Sequence, residues 1–418
     1  MPFMDSKPSK KNRLTLYIIV SMVLGIVTGY IIHRQASPST IASFSTNIKL
    51  LTTIFLRLIQ MIIAPLVFST LVVGIAKLGD LKSVGRVGGK ALFWFVSASL
   101  TSLLIGLVLV NFFKPGEGID LSNADASAAA DVMGKTKAFS IQNFIEHVFP
   151  RSIFEAMATN EILQIVIFSV FFGVATAALG DYGKIVVKGL EAVSHVILKM
   201  VNYVMAFAPL GVFGAIAAVI ATKGLVVFSF YGYYLLYFLI GIMVLWAVLL
   251  MVGYLILRNR LAGLLKRIAQ PLLIAFSTTS SEAVFPKLTE ELERFGCKDK
   301  IVAFILPLGY SFNLDGSMMY MTFASIAIAQ AYGIQLETGT QITMLLVLML
   351  TSKGIAGVPR ASLVVVAATC AMFDIPPEGI ALILPIDHFC DMFRTATNVL
   401  GNALATSVVS KWENSLES

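Results

Sequence analysis

Five polar residues repeat inside one otherwise apolar run, 380–411: Asp387, Asp391, Arg394, Asn398 and Asn402. The steps between them are 4, 3, 4 and 4, so a helix would carry all five on one stripe. An arginine offers a planar fork that grips a carboxylate at two points. Asp391, one turn away, is placed to hold an ammonium group. A guanidinium and a carboxylate at that spacing suit a zwitterion with a second carboxylate. The alternative is structural: the stripe glues helices together and an aspartate neutralises Arg394. Either use requires a protein interior or a cavity beside the stripe. A second run, 301–331, holds Asn313-Leu314-Asp315-Gly316-Ser317 in the same way. In a bilayer each such charge costs about 2.5–3.5 kcal/mol at a helix centre, so it marks a partner or a path.

The chain around these residues is composed for a membrane. Of its 418 residues, 57% are hydrophobic and only 13% charged, against about 25% charged in ordinary soluble proteins. Mean hydropathy is +0.85. These figures exclude a soluble globular enzyme, a disordered chain and a disulfide-stapled secreted domain. Cys297, Cys370 and Cys390 lie far from any metal-ligand spacing and read as buried apolar thiols. No nucleophile–base pair, nucleotide loop or metal cluster argues for an enzyme. The net charge of +7 comes from basic clusters between alternate apolar runs, as at Lys82, Arg86 and Lys90 or Arg258, Arg260, Lys266 and Arg267. That is the positive-inside pattern rather than a nucleic-acid surface. It places both termini in the cytoplasm and the acidic stretch 114–145 outside. The run Leu14 to His33 is longer than the apolar core of a signal peptide and lacks a clean cleavage site, so it reads as a retained span in a plasma membrane.

Further spans are expected at 46–76, 87–113, 153–180, 191–221 and 227–257. Pro65 and Pro209 are predicted kinks. Beyond residue 258 the pattern changes. Segment 262–296 has two short arms around Ser277-Thr278-Thr279-Ser280-Ser281-Glu282, and 338–373 has two around Thr351-Ser352-Lys353-Gly354-Ile355-Ala356-Gly357-Val358-Pro359. Polar, non-helical backbone at membrane depth survives only inside protein or beside water. Paired interrupted segments point to a transporter's binding site built from two copies of one unit. Two ordinary kinked spans are the alternative. Free backbone N–H groups at such tips suit a carboxylate.

The run 55–68, Asn160-Glu161-Ile162-Leu163-Gln164, the serine tip 277–282, Asn313–Ser317, Gly354–Pro359 and Asp387–Asn402 together carry a resemblance. From about Leu14 to Trp412 the chain is similar to the dicarboxylate/amino acid:cation symporters, which include the excitatory amino acid transporters. It most resembles the bacterial proton-coupled glutamate/aspartate symporters. The resemblance implies an all-α polytopic membrane protein with eight transmembrane helices and two re-entrant helical hairpins arranged as inverted repeats. It implies a homotrimer working as an elevator. A cytoplasmic tail, 1–13, would precede scaffold helices 1 and 2 at 14–80. Helix 3 of the transport domain would occupy 81–113 and an external loop 114–150. Scaffold helices 4 and 5 would occupy 151–222, and helix 6 of the transport domain 223–260. Hairpin 1 would follow at 261–297, helix 7 at 298–335, hairpin 2 at 336–374, helix 8 at 375–412 and a cytoplasmic tail at 413–418.

Carried over by motif, Arg394 resembles the group that grips the side-chain carboxylate and Asp391 the amino-group acceptor. Thr395, Asn398, Ser280, Ser281, Ser317 and the backbone at Gly357 and Val358 resemble the remaining substrate contacts. Relatives that carry C4-dicarboxylates have serine in place of Asp391, so the chain is expected to favour L-glutamate and L-aspartate over succinate or malate. Sodium-coupled relatives have aspartate in place of Asn402, and tyrosine and threonine where Phe95 and Ala98 align. Hard cations prefer anionic oxygens, so sodium sites are weakened here. Residual cation-site candidates are Gly309, Asn313, Asp315, Ser352, Asn398 and Asn402. The glutamate of animal proton-carrying relatives is replaced by Met321. A proton would then ride on Asp391, Asp387, Glu282, Asp315 or His388. The expected function is elevator-type symport of acidic amino acids with protons at a bacterial inner membrane. Sodium-coupled transport, C4-dicarboxylate symport and an anion-conducting channel are the alternatives. Expected partners are the substrate, the lipid bilayer and copies of the chain itself. No cofactor beyond the coupling ion, a proton or sodium, and no nucleic acid is expected.

Overall fold

A computed structural model of the chain describes residues 11–78, 81–117, 148–224, 231–352, 361–376 and 379–417. Apart from one isolated bridge, Cys297 to Leu416, regular structure among these residues is helical. The long apolar runs give α1 (Lys11–Gln35), α2 (Pro38–Leu78) and α3 (Leu81–Phe113). α2 continues through Pro65 as one 41-residue helix, so that proline does not end it.

Two expected single spans are broken. The run 153–180 forms α4 (Ile153–Thr159) and α5 (Ile162–Ala178), parted at Asn160 with φ 56°. Asparagine tolerates that left-handed conformation better than most residues. The run 191–221 lies across α6 (Asp181–Met205) and α7 (Ala208–Lys223), which meet at a 50° bend. Pro209 stands in the first turn of α7, where its missing N–H costs no hydrogen bond. The bend therefore belongs to Pro209 and none of the helix need be strained to make it.

α8 (Gly232–Leu257) follows as a continuous span. The two interrupted segments have short arms, as their sequence predicts. α9 (Arg260–Thr278) and α10 (Phe285–Phe295) pack on each other around a 3-10 turn, Glu282–Val284. α13 (Thr338–Thr351) and α14 (Ala361–Met372) also touch. All four arms are shorter than the roughly 20 residues that span a bilayer. Between these segments lie α11 (Asp299–Phe312) and α12 (Asp315–Ala331), and α15 (Ile380–Trp412) closes the chain. The tip 353–360, with Gly357 and Val358, lies outside the described residues, as do most of the tail 1–13 and of the loop 114–150.

Among the described residues five helical spans are long and apolar enough to cross a membrane, with α11 and α12 counted together as one, or six if α6 and α7 form one bent span. The expected eight is not reached by that criterion. α15 has the length, about 50 Å at 1.5 Å per residue, but its charged stripe keeps it out of the apolar set. Packing sorts the helices by neighbour. α1, α2, α5, α6 and α7 pack chiefly on one another, whereas α8, α9, α11 and α12 gather around α15 and α3 packs on α12. Contacts of α11 with α2 and α5 join the two groups.

The end of α15 is clasped. Glu413, only 7% exposed at its side chain, takes hydrogen bonds from Arg86 Nη2 at 3.0 Å and Lys90 Nζ at 2.6 Å, both on α3. Lys90 also donates to the Trp412 carbonyl, and Trp412 meets Trp94 edge-on at 6.1 Å. Residues 415–417 then run beside the turn between α10 and α11. Lys298 N donates to Ser415 O, and Glu417 N donates to Gly296 O. Burial pushes the Glu413 carboxyl up, but the hydrogen bonds and charges of Arg86 and Lys90 outweigh it and hold the group below its ordinary range.

Candidate functional site

α11 and α12 are one helix in direction and two in hydrogen bonding. Asn313 and Leu314 leave the helical region, with ψ 71° and 60°, and expose the first N–H groups of α12. α15 answers that break. Asn398 Oδ1 accepts from Gly316 N at 2.9 Å and Ser317 N at 3.2 Å, while its Nδ2 donates to Ser317 Oγ at 3.0 Å. Its expected role as a substrate contact is joined here by a second one: it caps the N-terminus of α12 from another helix. Gly316 permits this approach, because a Cβ there would strike the Arg394 carbonyl and the Thr397 Cβ. Gly401 does the same from α15, where a Cβ would strike the Asp315 carboxylate.

Two turns along α15 the charged residues meet. Arg394 Nε donates to Asp391 Oδ1 at 2.7 Å and its Nη1 reaches Asp387 Oδ1 at 3.5 Å. Thr395 Oγ1 donates to the same Asp391 oxygen at 3.0 Å. Tyr320 of α12 lies beneath the guanidinium, 4.5 Å from Cζ to the ring centroid, and its hydroxyl donates to Asp387 Oδ1 at 2.7 Å. Arg394 and Asp387 are buried, whereas the Asp391 side chain is 20% exposed. The cation is thus held between two carboxylates and an aromatic face, and Asp391 is the more accessible of its two anions.

Nothing in the sequence pattern singles out Tyr320. Its only signal is its place one turn after Ser317 on the broken helix. Trp246 of α8 is a further missed residue: its Nε1 donates to Thr397 Oγ1 at 2.8 Å and ties α8 to the stripe.

The serine tip lies against the same region. Thr279 adopts φ 52°, a left-handed conformation that is costly for a β-branched residue. Ser280 Oγ accepts from Ala283 N at 3.2 Å, and Ser281 precedes the 3-10 turn that Glu282 opens. Phe276, just before the tip, meets Phe393 edge-on at 4.9 Å, next to Arg394 in the chain. The structure thus brings the α9 end of the tip to the stripe. His388 is half-buried on α15.

A second polar pocket lies farther along α15. Asn313 Nδ2 donates to Asp315 Oδ2 at 3.1 Å. Asn313 Oδ1 and both side-chain polar atoms of Asn402 are buried without a hydrogen-bond partner among the described residues. Asn402 Oδ1 stands where a Cβ on Gly309 would be, and Phe95 Cζ is 3.6 Å from that point. The pocket therefore offers amide oxygens, the buried Asp315 and an aromatic edge. Ser352 is buried too, but its hydroxyl donates to Met349 O in its own helix. No group of three or more His, Cys, Asp or Glu is gathered among the described residues.

The comparisons with known proteins agree with one another. A family model described as the sodium:dicarboxylate symporter family matches residues 14–412. The chain is 38% identical to a proton/sodium-glutamate symport protein of Geobacillus stearothermophilus, over 97% of this chain and 95% of that one. It is 41% identical to a C4-dicarboxylate transport protein of Laribacter hongkongensis, over 98% and 92%. It is 38% identical to a C4-dicarboxylate transport protein of Bacillus subtilis, over 97% and 95%.

Proposed function

The chain belongs to the sodium:dicarboxylate symporter family, and from that premise we propose that it takes up L-glutamate and L-aspartate together with protons. The family is one of transporters, not enzymes, and the chain is a multi-pass membrane protein. The observation that carries the substrate is the Arg394–Asp391 pair on one face of α15. A guanidinium takes the distal carboxylate, and the accessible Asp391 takes the substrate ammonium, which succinate and malate lack. Ser280, Ser281, Ser317, Thr395, Asn398 and the tip at Gly357 and Val358 complete the site in this reading.

C4-dicarboxylate symport is the second reading. It is favoured by relatives of that name at 38–41% identity, as similar as the glutamate symporter. Asp391 opposes it, because a dianion without an ammonium group gains nothing from a carboxylate beside its binding arginine. Competition decides between them. Labelled L-aspartate bound to the purified protein should be displaced by L-glutamate and poorly by succinate. Tight succinate binding without aspartate binding would overturn the amino acid assignment.

Proton coupling rests on Asn402, where an amide replaces the charge a sodium ion would seek, and on Phe95 beside Gly309. Asp391, Asp387, Glu282, Asp315 and His388 are the proton-carrying candidates, and a buried carboxyl holds a proton more readily than an exposed one. α3 and α8 to α15 would move as the transport body against α1, α2 and α4 to α7, within a homotrimer. Both termini would face the cytoplasm of a bacterial cell.

A further inference from the structure

Behind Arg394 lies a residue that the substrate reading does not use. Tyr234, in the first turn of α8, is 2% exposed, and its hydroxyl has no hydrogen-bond partner among the described residues. Its ring meets Phe323 edge-on at 5.4 Å, Phe323 meets Phe238 at 6.0 Å, and Phe238 meets Tyr320 at 5.8 Å. Tyr320 is the ring beneath Arg394 and the donor to Asp387. The Tyr234 hydroxyl lies within electrostatic reach of Asp387, Cys390 and Arg394. In such apolar packing a phenylalanine would serve the ring contacts equally well, and an unmet buried hydroxyl is a cost. The hydroxyl therefore calls for a partner that the present arrangement does not give it.

Arg394 supplies the occasion. Its guanidinium is divided between Asp391 at 2.7 Å and Asp387 at 3.5 Å. A substrate carboxylate gripped at two points must draw the fork toward itself, and the longer contact, to Asp387, is the one that yields. Asp387, 2% exposed, then loses a donor while it remains buried, and a buried carboxylate short of donors is unfavourable. We propose that Tyr234 is a positioning residue for substrate binding: its hydroxyl donates to Asp387 as the substrate carboxylate takes the guanidinium, so that Arg394 changes partners without stranding a buried anion. Tyr320 holds Asp387 in both arrangements, and Tyr234 is the reserve donor of the second. This rests on Arg394 being the partner of a substrate carboxylate, and holds for an amino acid or a C4-dicarboxylate alike.

The test compares purified wild type, Tyr234→Phe and Tyr320→Phe. Binding is titrated calorimetrically with L-aspartate, L-glutamate and succinate in turn, and thermal unfolding is followed without substrate. Tyr234→Phe should weaken binding of whichever dicarboxylates the wild type takes by about tenfold, the loss of one hydrogen bond to a charged group. Its melting temperature without substrate should equal or exceed the wild type's. Tyr320→Phe, which removes a bond already formed, should melt lower. Wild-type affinity in Tyr234→Phe would overturn the proposal, as would a melting temperature lowered to that of Tyr320→Phe. A wild type that binds none of the three compounds would overturn the substrate reading itself, and this inference with it.

Discussion

The two ends of the α15 stripe solve the burial of polar groups in opposite ways. Around Arg394 the protein is saturated: two carboxylates and the ring of Tyr320 converge on one guanidinium, and the Tyr320 hydroxyl donates to one of those carboxylates. Around Asn402, eight residues on and about 12 Å along the helix, amide atoms are buried with no partner among the described residues. A saturated cluster binds by exchange, since a newcomer must displace a partner that is already good. A deficient pocket binds by completion, since a water or cation satisfies atoms that otherwise remain unmet. The first arrangement selects for charge and shape at the cost of affinity, which suits a substrate that must be released. The second suits a small occupant held with the substrate. In the proton-coupled reading the deficient pocket has lost its strongest claim on sodium because residue 402 is an amide.

The comparison breaks most sharply at Arg394. Arg394→Cys should cut uptake of acidic substrates by at least about thirtyfold, because removing one partner of a buried charge pair costs about 2–5 kcal/mol. Small neutral amino acids should then compete for the site, as measured by displacement in binding assays. At the other end, Asn402→Asp adds a carboxylate beside Asp315. Without sodium it should lower thermal stability through like-charge repulsion. With sodium it should recover and bind substrate about tenfold more tightly, about 1.4 kcal/mol. A variant indifferent to sodium would remove the deficient pocket from the coupling account.

The clasp at Glu413 is the control far from both ends, and its effect should be the smallest. Glu413→Gln should lower the melting temperature by about 1–2 °C at neutral pH, since the pair is partly exposed on the Arg86 side. The folded carboxyl is held below its ordinary range. Its stabilisation is therefore complete above the ordinary carboxylate range and disappears as pH falls through the lowered folded value. Wild type and Glu413→Gln should converge at acid pH, in unfolding scans from pH 7 to pH 3. A gap that stays constant over that interval would mean that Glu413 contributes packing rather than charge.

Much of this was legible in the residues alone. The 4, 3, 4, 4 spacing placed Asp387, Asp391, Arg394, Asn398 and Asn402 on one stripe, and the contacts of Arg394 with both aspartates follow from it. The short arms around 277–282 were legible as well, because apolar length and polar tips are local properties. What could not be read depends on pairings between distant helices. Asn398 looked like a ligand contact, and its capping of α12 becomes visible only once the helix breaks at Leu314. Tyr320 and Tyr234 sit in ordinary apolar runs, and their importance comes from what faces them across the bundle. The bend beside Ala206 was legible in Pro209. The break at Asn160 was not, because it turns on one left-handed backbone conformation rather than on apolar length.

The central claim is that protons drive accumulation of an acidic amino acid through this site. It is tested most directly in proteoliposomes at clamped membrane potential, with labelled L-glutamate and no sodium, by imposing an inward pH gradient. Accumulation above equilibrium that collapses when the gradient is dissipated is the predicted result. Uptake that stays at background until sodium is added would contradict it and assign the coupling to a cation held at Asn313, Asp315 and Asn402.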